Sequence, residues 1–127
     1  MILEKLTIIK VGGKVVETPA SLSALLNQFK GIKGHKILVH GGGRTATQLA
    51  ARLGIESHII NGRRVTDKET LDVVTMVYAG LVNKTIVAQL QALGMNALGL
   101  TGADLNYMRS EKRPVGEVDY GFVGDVK

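Results

Sequence analysis

Three stretches of this chain have the residue types and spacing to handle an anion. In "IIKVGGK", Lys10 stands one valine ahead of Gly12 and Gly13. "LVHGGG" carries Gly41, Gly42 and Gly43 in succession and runs into "RTATQLAARLG". "NGRRVTD", Asn61 to Asp67, sets two arginines ahead of a helix-starting pattern. Glycine has no side chain to obstruct a ligand's approach to its amide. Amides at a helix start, backed by the helix dipole, favour negative charge. An ammonium beside such amides makes a cradle for phosphate oxygens. A guanidinium is a planar fork that fits a carboxylate; Arg64 is the candidate, with Arg63 facing water. His40, just before the glycines, reads as a packing residue bonded to backbone. Together these groups would offer one place for a phosphoryl group and another for an acidic substrate.

These residues must be held by elements that the spacing outlines. A β-branched run over 6–9 with Val11 reads as a buried strand, and residues 37–39 as a second. Pro19 opens a helix whose apolar positions Leu22, Leu25, Leu26 and Phe29 precede Gly31. Ala46, Leu49, Ala50 and Leu53 mark one face of another helix, ended by Gly54. Residues 58–60 read as a brief third strand. Thr66 and Glu69 form a capping box ahead of a long helix over 67–93, bent or broken near 80–83. Residues 97–100 read as a fourth strand, and 106–123 as a hairpin turning at Lys112–Arg113–Pro114. Alternating strands and helices predict an α/β fold: a three-layer sandwich with a mainly parallel sheet flanked by helices, plus a β-hairpin near the C-terminal end. Ligands bind such sheets at the carboxyl ends of the strands, where both glycine turns lie.

At 127 residues the chain reads as a single domain, 1–127. Hydrophobic residues at 45% and charged residues at 21% describe a soluble globular protein. Cysteine is absent, which excludes disulfides and thiolate chemistry and fits a reducing cytoplasm. The apolar opening is broken by Glu4, Lys5 and Lys10, so it reads as a strand rather than a leader. No uninterrupted apolar run approaches the about 18 residues of a membrane span. The formal charge of +5 reads as a solvated basic surface. Nucleic acid is disfavoured, because Phe29, Phe122, Tyr78, Tyr107 and Tyr120 are the only aromatics and the basic residues are scattered. No metal site is expected.

A rival reading uses the same letters. "GGGRTA", Gly41 to Ala46, satisfies the dinucleotide fingerprint G-x-G-x-x-A. The acidic residue expected about 20 positions on is missing, and Arg63 and Arg64 could instead suit a 2′-phosphate. A regulatory module binding NADP or another nucleotide is therefore the alternative. The G-x-x-x-x-G-K-[ST] loop is absent.

"IIKVGG", "LVHGGG", "NGRRVTDKETLDVV", "AGLVNKTIVAQL" and "YGFVGDV" together resemble the N-terminal half of the N-acetylglutamate kinases, within the amino-acid kinase superfamily. The resemblance covers essentially all of the chain. It implies transfer of the γ-phosphoryl of MgATP to the side-chain carboxylate of an N-acylglutamate, in arginine biosynthesis. It implies that Lys10 stabilises the transferring phosphoryl and that Gly12 and Gly13 line the phosphate path. Gly41, Gly42 and Gly43 would bind substrate, with the amides of Gly42 and Gly43 on the acylglutamate and the developing charge. Arg64 would clamp its α-carboxylate. The family's ATP-binding region, an asparagine contacting substrate, an aspartate organising the site and a second phosphate-binding lysine have no counterpart here. A truncated, acylglutamate-binding half, inactive alone, is the expectation, and the family supports a homodimer through the helix over 67–93.

Overall fold

The computed structural model describes residues 5–127. Strands β1 (Leu6–Lys10) and β2 (His35–Val39) pair in parallel, from Leu6 opposite His35 to Lys10 opposite Val39. Their β-branched and aliphatic side chains alternate between two faces. On one face Ile9 and Leu38 pack against the buried core. On the other, Leu6, Ile8, Ile37 and Val39 are exposed. The α/β class is as the sequence predicts; of the three layers, the described residues furnish the sheet and one layer of helices. The chain presents 8949 Å² to solvent, where a compact monomer of its 13.6 kDa mass presents roughly 6600 Å².

The helices follow the apolar spacing. After the single turn α1 (Gly13–Val16), α2 (Pro19–Gly31) buries Leu22, Leu26 and Phe29. In α3 (Gly43–Arg52), Ala46 and Ala50 are the buried positions, and their small side chains let the helix lie close to its neighbours. A rod of 25 residues, Lys68–Ala92, follows. It consists of α4 (Lys68–Thr75), a π-helical stretch (Met76–Val82) and α5 (Asn83–Ala92). Instead of breaking near 80–83, the helix widens and continues. By length and composition alone the rod is apolar enough to cross a membrane; Asp72 and Lys84 interrupt its apolar runs, which hid that property in the sequence. Its Val73, Val77, Val82, Ile86 and Leu90 belong to the core of the fold.

Three local expectations are corrected. The cap of α4 is Asp67, whose Oδ1 accepts the Thr70 amide at 2.8 Å, and not Thr66. Thr66 is committed elsewhere: its amide donates to the Tyr120 carbonyl at 2.9 Å and its carbonyl accepts the Phe122 amide at 2.8 Å. The brief third strand, β3 (Ile59–Ile60), stands outside the parallel pair and forms a hairpin with β4 (Arg63–Arg64). Asn61 and Gly62, both at positive φ, supply the two-residue turn that such a hairpin needs. Residues 97–100 form no strand. Side chains of α5 take their carbonyls instead: Gln91 Nε2 bonds Ala97, Lys84 Nζ bonds Gly99 and Asn83 Nδ2 bonds Leu100. A C-terminal hairpin forms, with β5 (Ser110–Lys112) antiparallel to β6 (Gly124–Val126), but not about the expected turn. Lys112 pairs with Gly124, so residues 113–123 are the connection and the second strand lies beyond them.

Candidate functional site

The two glycine turns meet at the carboxyl ends of β1 and β2. The Val11 amide extends the ladder to the Val39 carbonyl at 2.8 Å, so both strands end together. A Cβ placed on Gly41 would lie 3.9 Å from the Gly13 nitrogen. Around Gly12 there is open space. Lys10, at the end of β1, is exposed, and its ammonium makes no hydrogen bond or ion pair among the described residues. Lys10, Gly12, Gly13 and Gly41–Gly43 are therefore brought to one edge.

A helix start leaves its first amides without internal partners. At α3 one of them is already taken. The Glu17 carboxylate, at the end of α1, accepts the Thr45 amide at 2.8 Å and the Thr45 hydroxyl at 3.1 Å. Its side chain is only 12% exposed, and Arg44 Nε stands 4.0 Å away. The amides of Gly42, Gly43 and Arg44 bond no group among the described residues. Those amides remain to meet a ligand.

Arg64 comes in from β4 across the first turn of α3. Its Nη2 donates to the Gly43 carbonyl at 3.0 Å and to Thr47 Oγ1 at 2.9 Å, and its Nη1 donates to Ser57 Oγ at 3.0 Å. Three of the five guanidinium N–H donors are thus spent on holding the group in place. Nε–H and one Nη1–H remain. Arg63 faces solvent, as expected.

His40 is a packing group, as its position suggested. The Asn83 amide nitrogen lies 3.1 Å from His40 Nε2, while Lys84 Nζ donates to the Asn83 carbonyl oxygen at 3.1 Å. Nε2 therefore accepts, which places the ring proton on Nδ1, where it is donated to the Gly41 carbonyl at 2.9 Å. Both ring nitrogens are used to set the glycine turn.

Gly42 and Gly43 are pressed by the rod. A Cβ on Gly42 would meet Val82 Cγ2 at 3.3 Å and Val77 Cγ1 at 3.6 Å, and one on Gly43 would meet Tyr78 Oη at 3.2 Å. A side chain would be crowded at both positions, and glycine lets the rod approach closely. Glu17 and Tyr78 carry no local motif, so sequence reasoning passed them over. A carboxylate four residues beyond Gly13 was the available signal for the first.

The model of the amino acid kinase family matches residues 5–127, and the chain belongs to that family. It is 74% identical over 125 residues to the acetylglutamate kinase of Parabacteroides distasonis, covering 98% of this chain and 49% of that protein. The acetylglutamate kinase of Methanopyrus kandleri is 47% identical over 124 residues, covering 94% of this chain and 48% of the relative. The chain thus spans about half the length of the curated relatives it matches. Among solved structures, smu.665 from Streptococcus mutans superposes with a TM-score of 0.72 at 29% identity, over 96% of this chain and 49% of that one. The N-acetylglutamate synthase of Neisseria gonorrhoeae, with coenzyme A and L-arginine, shares the fold at a TM-score of 0.66 and 21% identity, over 96% and 30%.

Proposed function

We propose that this member of the amino acid kinase family is the acylglutamate-binding half of an N-acyl-L-glutamate 5-phosphotransferase, an acetylglutamate kinase of arginine biosynthesis. The reaction moves the ATP γ-phosphoryl to the substrate's side-chain carboxylate: a carboxylate oxygen bonds phosphorus as the bond to the ADP oxygen breaks. No general base is needed, because a carboxylate is ionised near neutral pH. Such a transfer asks for positioning and charge neutralisation.

The observation that carries this reading is the meeting of the two glycine turns, with Lys10 unpaired on one side and the open amides of Gly42, Gly43 and Arg44 on the other. In this reading Lys10 neutralises charge on the transferring phosphoryl, and Gly12 and Gly13 leave the phosphate path clear. The substrate lies on Gly41, Gly42 and Gly43, with the fixed Arg64 drawing its α-carboxylate. Open backbone and a free ammonium suit the phosphates of ATP, the co-substrate. Mg²⁺, riding on those phosphates, supplies further neutralisation when bound. The nucleotide-binding half lies outside this chain, which alone does not turn over. The protein is cytoplasmic, contacts neither nucleic acid nor membrane, and pairs as a homodimer through the helix over 67–93, where Met76 and Leu81 are exposed.

Calorimetric titration of the chain with N-acetylglutamate, N-succinylglutamate and NADPH tests the reading. Saturable binding of an acylglutamate supports it and ranks the acyl groups. Binding of NADPH alone would put the Gly41–Ala46 fingerprint to dinucleotide use and overturn it.

A further inference from the structure

We infer that the Tyr78 hydroxyl is a further substrate-binding group, donating a hydrogen bond to the carboxylate that Arg64 draws. The inference rests on the proposed acylglutamate reading and deepens it.

Tyr78 sits in the π-helical stretch Met76–Val82. In an α-helix, side chains five apart point well away from each other; in the wider π turn they come onto nearly one face. Val77 and Val82 are such a pair, and both press on Gly42, at 3.6 and 3.3 Å from its missing Cβ. The same widening lays the Tyr78 ring across the turn, with Cδ2 3.7 Å from that position on Gly42 and Oη 3.2 Å from that on Gly43. Short π segments are rare and recur at functional sites. Here the segment delivers one phenol to the glycine turn.

That hydroxyl has no partner among the described residues. No buried side-chain polar atom among them lacks a partner, so Tyr78 Oη must touch solvent. It shares the Cβ side of Gly43 with Arg64 Nη2, which stands 4.0 Å from the same missing Cβ. Both Nη2 protons are spent on Gly43 and Thr47. A carboxylate arriving on that side therefore meets the guanidinium's charge without its full fork. A phenol O–H completes the donor set.

The chain has three tyrosines, Tyr78, Tyr107 and Tyr120. Labelled with fluorotyrosine it gives one fluorine resonance for each, and Tyr78→Phe identifies the first by its loss. N-acetylglutamate is expected to shift the Tyr78 resonance and leave the other two in place. Tyr78→Phe keeps the ring on Gly42 and should weaken binding about tenfold, with the melting temperature unchanged. Equal affinity in both proteins, with a still Tyr78 resonance, overturns the inference and leaves the acylglutamate reading standing. A folded wild-type chain that gives no saturable heat overturns that reading, and the role of Tyr78 falls with it. Should Tyr78→Phe fail to fold, the wild-type resonance, assigned by Tyr107→Phe and Tyr120→Phe, decides alone.

Discussion

Glu17 and Thr45, 28 residues apart, are joined by two hydrogen bonds to one carboxylate oxygen, Glu17 Oε1, at 2.8 Å from the Thr45 amide and 3.1 Å from its hydroxyl. The pair ties the end of α1 to the start of α3 and so fixes the distance between the two glycine turns. It also settles which amide of α3 is closed and which stay open.

Glu17→Ala should cost about 2 kcal/mol, since hydrogen bonds to a charged group exceed the ordinary. The Thr45 amide should then exchange its proton faster in NMR, while Ala46, bonded to the Gly42 carbonyl at 2.9 Å, changes less. Glu17→Gln, which keeps an accepting oxygen, should restore much of the protection. Unchanged exchange at Thr45 in the alanine variant would remove Glu17 from this role.

Arg64→Lys should separate fold from binding. A lysine cannot span Gly43, Thr47 and Ser57 together, so stability should fall by about 1 kcal/mol and acylglutamate affinity by more than tenfold. A thermal melt and a calorimetric titration read the two effects. A lysine variant with full affinity would mean that charge alone suffices.

Gly121→Ala should be among the most damaging single changes. Gly121 is at φ +72°, and a Cβ there would lie 2.2 Å from the Thr66 carbonyl oxygen. Strain and clash together should cost more than about 2 kcal/mol and open the Thr66–Gly121 bridge. Loss of protection at the Phe122 amide, which bonds Thr66, reports it.

Acid should loosen the start of α4. The Thr70 amide, and then its hydroxyl, hold the Asp67 carboxyl below its ordinary value of 3.8. A carboxyl depressed in the folded state contributes stability above its unfolded pKa and loses it as pH falls through the folded one. The melting temperature should therefore drop as pH falls below about 4. Asp67→Asn keeps an N-cap but cannot titrate, so it should flatten part of that drop; an identical acid limb would contradict the assignment.

Much of the fold was legible because the chain's spacing is strong. Leu22, Leu26 and Phe29, or Ala46 and Ala50, can satisfy a helix in only one way. Residues 97–100 misled because an apolar run looks the same whether its carbonyls meet a strand or the side chains of Gln91, Lys84 and Asn83. Asn61–Gly62 carried its own turn signal, but the arginines beyond it read as a ligand site rather than as a second strand. At the site, Lys10, the glycines and Arg64 were visible as residue types. Glu17, Tyr78 and Asn83 were not, since each acts on a glycine turn far away in sequence.

The bare side of the parallel pair, with Leu6, Ile8, Ile37 and Val39 in water, has a consequence for denaturation. The steepness of a urea transition follows the area newly wetted on unfolding, and so does the heat-capacity step. A chain that already presents 8949 Å² when folded has less left to wet. Its urea transition should spread over a wider range, and its stability should curve less with temperature, than the length of 127 residues would lead one to assume.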